Sequence, residues 1–251
     1  MPLVRGGRPR KRWTWVGAFG EELMLCAARA QVGVLPVAWW AVWDRTSGML
    51  LERSARGGGG VTVAPDRVRV RGRRVRFELS LDDGEPVEVV SPHGAQYAWT
   101  RKRGGVAARG WLEHADRRRP LALRAIVDES AGYHARRTAW RWSAGVGTTA
   151  SGAAVAWNVT EGLHDLPQAS ERTVWVDGRA HPIEAPLAFA PRLGGVGELR
   201  FTREAVRARR EDLWLIASDY EQPFGTFAGT LPVAGALASG FGVMERHEAR
   251  W

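Results

Sequence analysis

Along most of the chain, apolar and polar residues alternate with a period of two, the pattern of a strand with one buried face. In "RKRWTWVGAF", Trp13, Trp15 and Gly17 alternate with Thr14 and Val16. In "DRVRVRGRRVRFELSL", Val68 and Val70 are set against Arg67, Arg69 and Arg71. Val75, Phe77 and Leu79 are then set against Arg74, Arg76, Glu78 and Ser80. Two such runs around Arg71-Gly72-Arg73 predict a hairpin whose arginines face water. The run from Val37 to Trp43 is apolar on both faces and predicts a strand buried on both sides, turning at Asp44 to Gly48. Further turns are expected at Asp82-Asp83-Gly84, Gly104-Gly105, Thr149 to Gly152 and Asp177-Gly178, with a loop at the four glycines 57–60.

Helical spacing is nearly absent. Residues 203–216 place Val206, Leu213 and Ile216 at roughly helical intervals, but the segment's four arginines break the pattern. Two strands around Arg209 to Asp212 fit the flanking pattern better. Short strands punctuated by turns predict an all-β protein with little helix. The basic stretch 114–132 marks the change from a first half to a second. The expected architecture is two antiparallel β-barrels packed side by side, residues 1–125 and 126–251. No internal sequence repeat joins the halves, although both alternate Trp-bearing strands with Gly turns.

Composition sharpens this picture at three points. The 251 residues include 13 tryptophans spread over the whole length, which calls for wide, aromatic-filled interiors. The net charge is +9 and nearly all arginine, since Lys11 and Lys102 are the only lysines. That charge is spread over many strands, so nucleic acid is an unlikely partner. Cys26 stands alone in an apolar run, which excludes an internal disulfide and reads as a small buried hydrophobe. With no apolar run of membrane-spanning length and no secretory leader, a cytoplasmic protein is expected.

Candidate chemistry centres on "GYHARRTAWRWSAGVG", residues 132–147. In extended chain His134, Arg136, Thr138, Trp140 and Trp142 point one way. The two indoles then either line a barrel cavity or fill its core. Arg137, near Asp128 and Glu129, is placed to form an ion pair or an anion clamp. Asn158, between apolar neighbours, needs partners that a ligand hydroxyl or a bulge would supply. Carboxylates near aromatics are Asp128, Glu171, Asp219, Glu221 and Glu245; Asp128 and Glu245 are the candidate acids, because an apolar setting raises a carboxyl pKa. The histidines show no metal-ligand spacing, and no phosphate loop or nucleophile elbow occurs, so no metal and no cofactor is expected. The cluster Arg5, Arg8, Arg10, Lys11 and Arg12 reads as a solvated arm or as a dock for an anionic membrane surface.

Several segments carry a resemblance: "RGGRPRKRW", "YAWTRKRGGVAARG", "DESAGYHARRTAWRWSAGVG", "VAWNVTEG", "ERTVWVDGRAH", "SDYEQPFGTFAGTL" and "GFGVMERHEARW". In this order they resemble the bacterial domain of unknown function 2804. An Asp-bearing segment followed by a W-x-W strand and a Gly-rich, Glu-containing end is also similar to the lipocalin-like double-barrel proteins of the carotenoid hydratase type. The resemblance implies lipocalin-like barrels and an apolar ligand, lipid or isoprenoid. On this chain it makes Asp128 or Glu245 the acid and Trp140 and Trp142 the faces that stabilise a cation. The ligand-binding set is Trp99, His134, Arg137, Trp140, Trp142, Asn158 and Tyr220.

Three functions compete at this stage. A binding protein would hold an apolar ligand in a Trp-lined barrel cavity. A hydratase, cyclase or isomerase would place an acid beside the tryptophans. A peripheral surface protein would have filled barrels and an Arg-rich face.

Overall fold

The computed structural model of the protein describes residues 1–213 and 216–250; Trp214 and Trp251 lie outside them. After a small hairpin, β1 (Val4–Arg5) with β2 (Arg8–Pro9), come β3 (Lys11–Phe19), β4 (Leu23–Val32), β5 (Leu35–Asp44), β6 (Met49–Arg56) and β7 (Val61–Ala64). There follow β8 (Arg67–Arg71), β9 (Val75–Leu81), β10 (Pro86–His93), β11 (Gln96–His114) and β12 (Arg117–Gly132). All ten from β3 onward form one antiparallel sheet, in the order β6-β5-β4-β3-β12-β11-β9-β8-β7, with β10 added to the first half of β11. β7 packs back against β4 and β5, so the sheet curls around its own core. That core holds Val16, Leu25, Trp40, Val42, Val70, Phe77, Leu79 and Val127, among others.

The second half contains β13 (Arg137–Thr149), β14 (Ala154–Glu161), a hairpin of β15 (Asp165–Leu166) with β16 (Ala169–Ser170), β17 (Thr173–Val176) and β18 (Arg179–Pro182). A single 3-10 turn at Pro191–Leu193 precedes β19 (Gly195–Val196), β20 (Leu199–Leu213), β21 (Ile216–Leu231) and β22 (Gly235–Arg250). Their sheet runs β18-β17-β14-β13-β22-β21-β20-β19. It encloses Trp157, Val159, Phe201, Phe227 and Met244, closed over by Ile183, Phe189 and Leu193. The architecture is therefore two lipocalin-like antiparallel barrels side by side, as expected. No helix among the described residues is long and apolar enough to cross a membrane.

Both sheets have one topology. In each, the opening strand pairs with the closing strand, β3 with β12 and β13 with β22. These two central pairs pack against each other. The seam between them buries Trp15, Phe19, Met24, Cys26 and Ile126 from one sheet and Trp142, Ala144, Trp175, Phe224 and Val243 from the other. Strand β5 shows why its sequence is apolar on both faces: Trp40 and Val42 face the first core, while Ala41 and Trp43 face the seam. Polar ties cross it as well. Arg45 bonds Glu204 (2.7 Å), Arg124 bonds the Gly147 carbonyl (2.6 Å), and the Trp175 indole donates to the Glu85 carbonyl (2.9 Å).

Four expectations are corrected here. The chain does not turn at Asp82-Asp83-Gly84: β9 and β10 lie in line along one edge of β11, Leu81 opposite Ala108 and Pro86 opposite Arg103. The change between halves lies at residues 133–136; stretch 114–132 is mostly β12, so residues 126–132 complete the first sheet. Residues 203–213 continue strand β20, and the expected break at Arg209 to Asp212 is inside paired strand. Gly104-Gly105 is a bulge within the 19-residue β11, where the strand's partner changes from β10 to β9. Gly105 takes φ +72, and the Trp175 ring fills the space a side chain on Gly104 would need. A glycine pair signals backbone freedom, which a bulge uses as readily as a turn.

Gly104→Ala would drive a methyl group into the Trp175 ring, which its indole hydrogen bond holds in place. We expect a loss of about 1–3 kcal/mol, the usual cost of overpacking, measured as the shift of the urea unfolding midpoint. An unchanged midpoint would show that the seam is loosely packed at this point.

Candidate active site between the two barrels

The centre of the seam carries two copies of one arrangement. In β3, Trp13 and Trp15 form a W-x-W pair, and Trp15 lies across from Asp128 of β12. In β13, Trp140 and Trp142 form the same pair, and Trp142 lies across from Glu245 of β22. In each copy the first indole bonds the acid: Trp13 Nε1 donates to Asp128 Oδ2 (3.2 Å), and Trp140 Nε1 to Glu245 Oε1 (2.8 Å). The next strand supplies a second donor. Lys102 of β11 meets Asp128 Oδ1 at 2.5 Å, and Gln222 of β21 donates to Glu245 Oε2 at 2.7 Å.

The copies differ in charge, and that difference separates their chemistry. Lys102 also reaches Glu171 Oε1 at 3.3 Å, so one buried ammonium serves two buried carboxylates. Burial opposes the charge on Lys102, but Asp128 and Glu171 together outweigh it and hold the ammonium above its ordinary pKa. Burial raises both carboxyls, and the Glu171 charge pushes Asp128 further, while Lys102 works against the rise in each. Glu245 has only neutral donors. Burial pushes it up to about 7, against the Trp140 and Gln222 hydrogen bonds and with a further push from the Asp128 charge. A carboxyl poised there can both give and take a proton near neutrality.

Around these groups the polar network is dense. The Trp142 indole donates to Asn158 Oδ1 (2.7 Å), and Asn158 Nδ2 donates to the Glu171 carbonyl (2.9 Å). Cys26 contacts Gln222 Oε1 at 3.8 Å. Tyr220 is buried beside Glu245, with the Arg207 guanidinium 5.0 Å from its ring centroid. His247 packs on Trp140 and Tyr220, with Nε2 2.8 Å from Ser218 Oγ.

The expected residues divide accordingly. Asp128, Glu245, Trp140, Trp142, Asn158 and Tyr220 meet in the seam. Trp142 is not a free platform, because Lys102 lies 5.7 Å from its ring centroid and Trp15 packs edge-on at 4.9 Å. Within the two W-x-W pairs, the half-buried indoles are Trp13 and Trp140. The Trp140 and Trp142 pair faces the seam; the second barrel's own interior is filled by Trp157, Phe201 and Phe227. Trp99 is on the other face of β11 from Lys102 and donates to Glu88 (2.6 Å). Arg137 is exposed, and the cation on Asp128 is Lys102. His134 and Arg136 precede β13, so they do not share its alternation. His134 instead meets His93 and His164, the one group among the described residues whose ligand atoms could hold a metal ion, all within 4.8 Å. The basic arm is engaged: Arg8 donates to the His93 carbonyl (2.7 Å), Arg5 lies over Tyr97, and Lys11 is buried with Nζ on the His134 carbonyl (3.1 Å).

Sequence reasoning missed Lys102, Gln222 and the histidine cluster. The lysine had a signal, since a lone lysine amid arginines marks a place where a compact ammonium fits and a guanidinium does not. The histidines had none, because they come from β10, the 133–136 crossover and the loop after β14.

Two outcomes follow. Lys102→Met leaves two carboxylates buried without their cation. We expect a loss of about 3–5 kcal/mol in urea unfolding at pH 7, smaller at pH 5, where protonation relieves the repulsion. For Glu245, the folded protein keeps between about pH 4.5 and about 7 a proton that the unfolded chain has released. Its contribution is full below that window and is lost as pH rises through it, by about 3 kcal/mol. The stability difference between the protein and Glu245→Gln should change by that amount between pH 4.5 and 7.5; a constant difference would show that Glu245 ionises normally.

Comparison with known proteins agrees with this architecture. The crystal structure of kievitone hydratase from Nectria haematococca superposes with a TM-score of 0.59 at 12% identity, over 98% of this chain and 93% of that one. A protein assigned as AttH from Nitrosomonas europaea superposes with a TM-score of 0.56 at 13% identity, over 94% and 92%. No curated protein matches the sequence. The profile described as Domain of unknown function (DUF2804) matches residues 56–251, most of the chain but not the basic segment, β3 to β5 or most of β6. The chain belongs to the DUF2804 family.

Proposed function

We propose that the protein binds a small, largely apolar ligand at the seam between its barrels and moves a proton on it through Glu245. The observation that carries this reading is the pairing of a buried carboxyl poised near pH 7 with half-buried indoles on a two-sheet seam. Asp128 is held by an ammonium and suits a fixed electrostatic role, while Glu245 is held by neutral donors and suits proton transfer. Trp13 and Trp140, each packed by a histidine (His134 at 5.0 Å, His247 at 4.4 Å between ring centroids), would favour with their remaining ring surface a carbon centre that becomes cationic as it is protonated. Lys102 beside the Trp142 ring already uses that attraction. Hydration or its reverse, and isomerisation of a double bond, are the reactions such a site serves. In hydration, Glu245 gives its proton to one alkene carbon, water adds to the other, and the carboxylate recovers a proton from the added water. The fold it shares with a kievitone hydratase is compatible with this reading.

The competing reading, a binding protein without chemistry, is favoured by the donors already on both Glu245 oxygens. Docking on an anionic membrane would have to rely on Arg5 and Arg12, because Arg8, Arg10 and Lys11 are committed to backbone carbonyls.

The test is native mass spectrometry of protein purified from its own host, with extraction of whatever is bound, followed by turnover assays on that compound. We expect a single apolar compound, converted by the protein and converted at least about 100-fold more slowly by Glu245→Gln. Trp140→Phe removes a donor to the charged carboxylate and should move the pH-activity profile upward. A compound bound but never converted leaves the binding reading. A protein with no bound compound, and no tryptophan fluorescence response to apolar ligands, overturns the proposal.

A further inference from the structure

The second polar centre adjoins the Asp128 side of the seam: Trp13, which bonds Asp128, packs on His134 with ring centroids 5.0 Å apart, and the Lys102 and Asp128 charges act on His164. His93 ends β10, His134 sits in the crossover between the two sheets, and His164 follows β14. Their ring centroids are 5.0, 5.8 and 6.0 Å apart. His134 and His164 are buried, and His93 is half-buried. Imidazoles packed in this way could be no more than aromatic neighbours, but the polar atoms argue otherwise. Neither ring nitrogen of His134 has a hydrogen-bond partner, and neither does Nε2 of His164. Buried polar atoms are nearly always satisfied, so three orphan nitrogens in one spot require a partner.

The tautomer of His164 can be read from its neighbours. The Ser91 hydroxyl donates to the Ala169 carbonyl at 3.1 Å. Its oxygen lies 2.9 Å from His164 Nδ1 and therefore accepts that N–H. Nε2 then carries a bare lone pair with nothing to receive it. A ligating histidine held by its other nitrogen is the arrangement that outer-shell groups provide at metal sites. The backbone is braced too: Arg8 bonds the carbonyls of His93 (2.7 Å) and Tyr133 (3.3 Å), and Lys11 bonds that of His134.

We propose that His93, His134 and His164 bind one divalent transition-metal ion of the zinc class, with a fourth position open to solvent beside His93. Three neutral imidazoles with one open position form a recognised zinc ligand set. Tetrahedral zinc with bonds of about 2.0–2.1 Å sets its nitrogens about 3.3 Å apart, so rings whose ligand atoms lie within 4.8 Å need shift by less than about 1 Å each. The Arg8, Lys11 and Lys102 charges act on these imidazoles against added positive charge, so the bound ion would carry an anion, hydroxide or a carboxylate, in its fourth position. The site is independent of Glu245 and stands or falls without any turnover assay.

The test is titration of tag-free, chelator-treated protein with Zn2+ by calorimetry and with Co2+ by visible absorption. We expect one equivalent bound, with the intense visible bands of tetrahedral cobalt. His93→Ala, on the exposed side, should weaken binding at least tenfold, and Ser91→Ala about tenfold, both with unchanged near-ultraviolet circular dichroism. Failure to bind one equivalent, or affinity unchanged in both variants, would overturn the site and leave the histidines as packing.

Discussion

The structure depends on keeping carboxylates buried between two sheets. The seam is mostly indole, methyl and aliphatic surface, and a carboxylate placed in it without donors would cost more than the surrounding contacts return. Indole N–H groups solve this from within the hydrophobic surface itself, because each tryptophan contributes both apolar area and a donor at its edge. A W-x-W strand directs two indoles to one face, and its antiparallel partner sets an acid opposite the second. Strand pairing, side-chain alternation and acid solvation are therefore one constraint. A register slip of one residue in β12 or β22 would turn the acid into its barrel's own core.

The two halves use this device twice with different outcomes. Both sheets close their central strands in the same order, and both place a W-x-W opposite an acid, although no sequence repeat links them. Where the third strand contributes lysine, the acid becomes part of an ion cluster; where it contributes glutamine, the acid is left to titrate near neutrality. The reactive character of the seam comes from that single asymmetry.

Much of the fold was legible in the sequence because it rests on local signals. Alternation in β3, β8 and β9, the doubly apolar β5 and the turn at Asp177 follow from period and turn chemistry. Asp128 and Glu245 could be named because carboxylates among tryptophans are rare. The position of the tryptophans was not legible. A strand buried on both faces does not say which face meets its own barrel and which meets the neighbour, so Trp142 could be read as lining an interior when it faces the seam. The histidine site was beyond sequence reading altogether, since its members come from three segments joined only by the docking of the sheets.

The two lysines carry one more consequence. Almost every cation on this protein is a guanidinium, and both ammonium side chains are buried, Lys11 at 2% exposure and Lys102 at 3%. The folded protein is therefore nearly blank to amine-directed reagents except at its N-terminus. Acylation of either side chain would report the opening of a particular region: Lys102 the centre of the seam, and Lys11 its histidine edge. The chain carries a built-in chemical footprint of its own breathing, readable by mass without any introduced label.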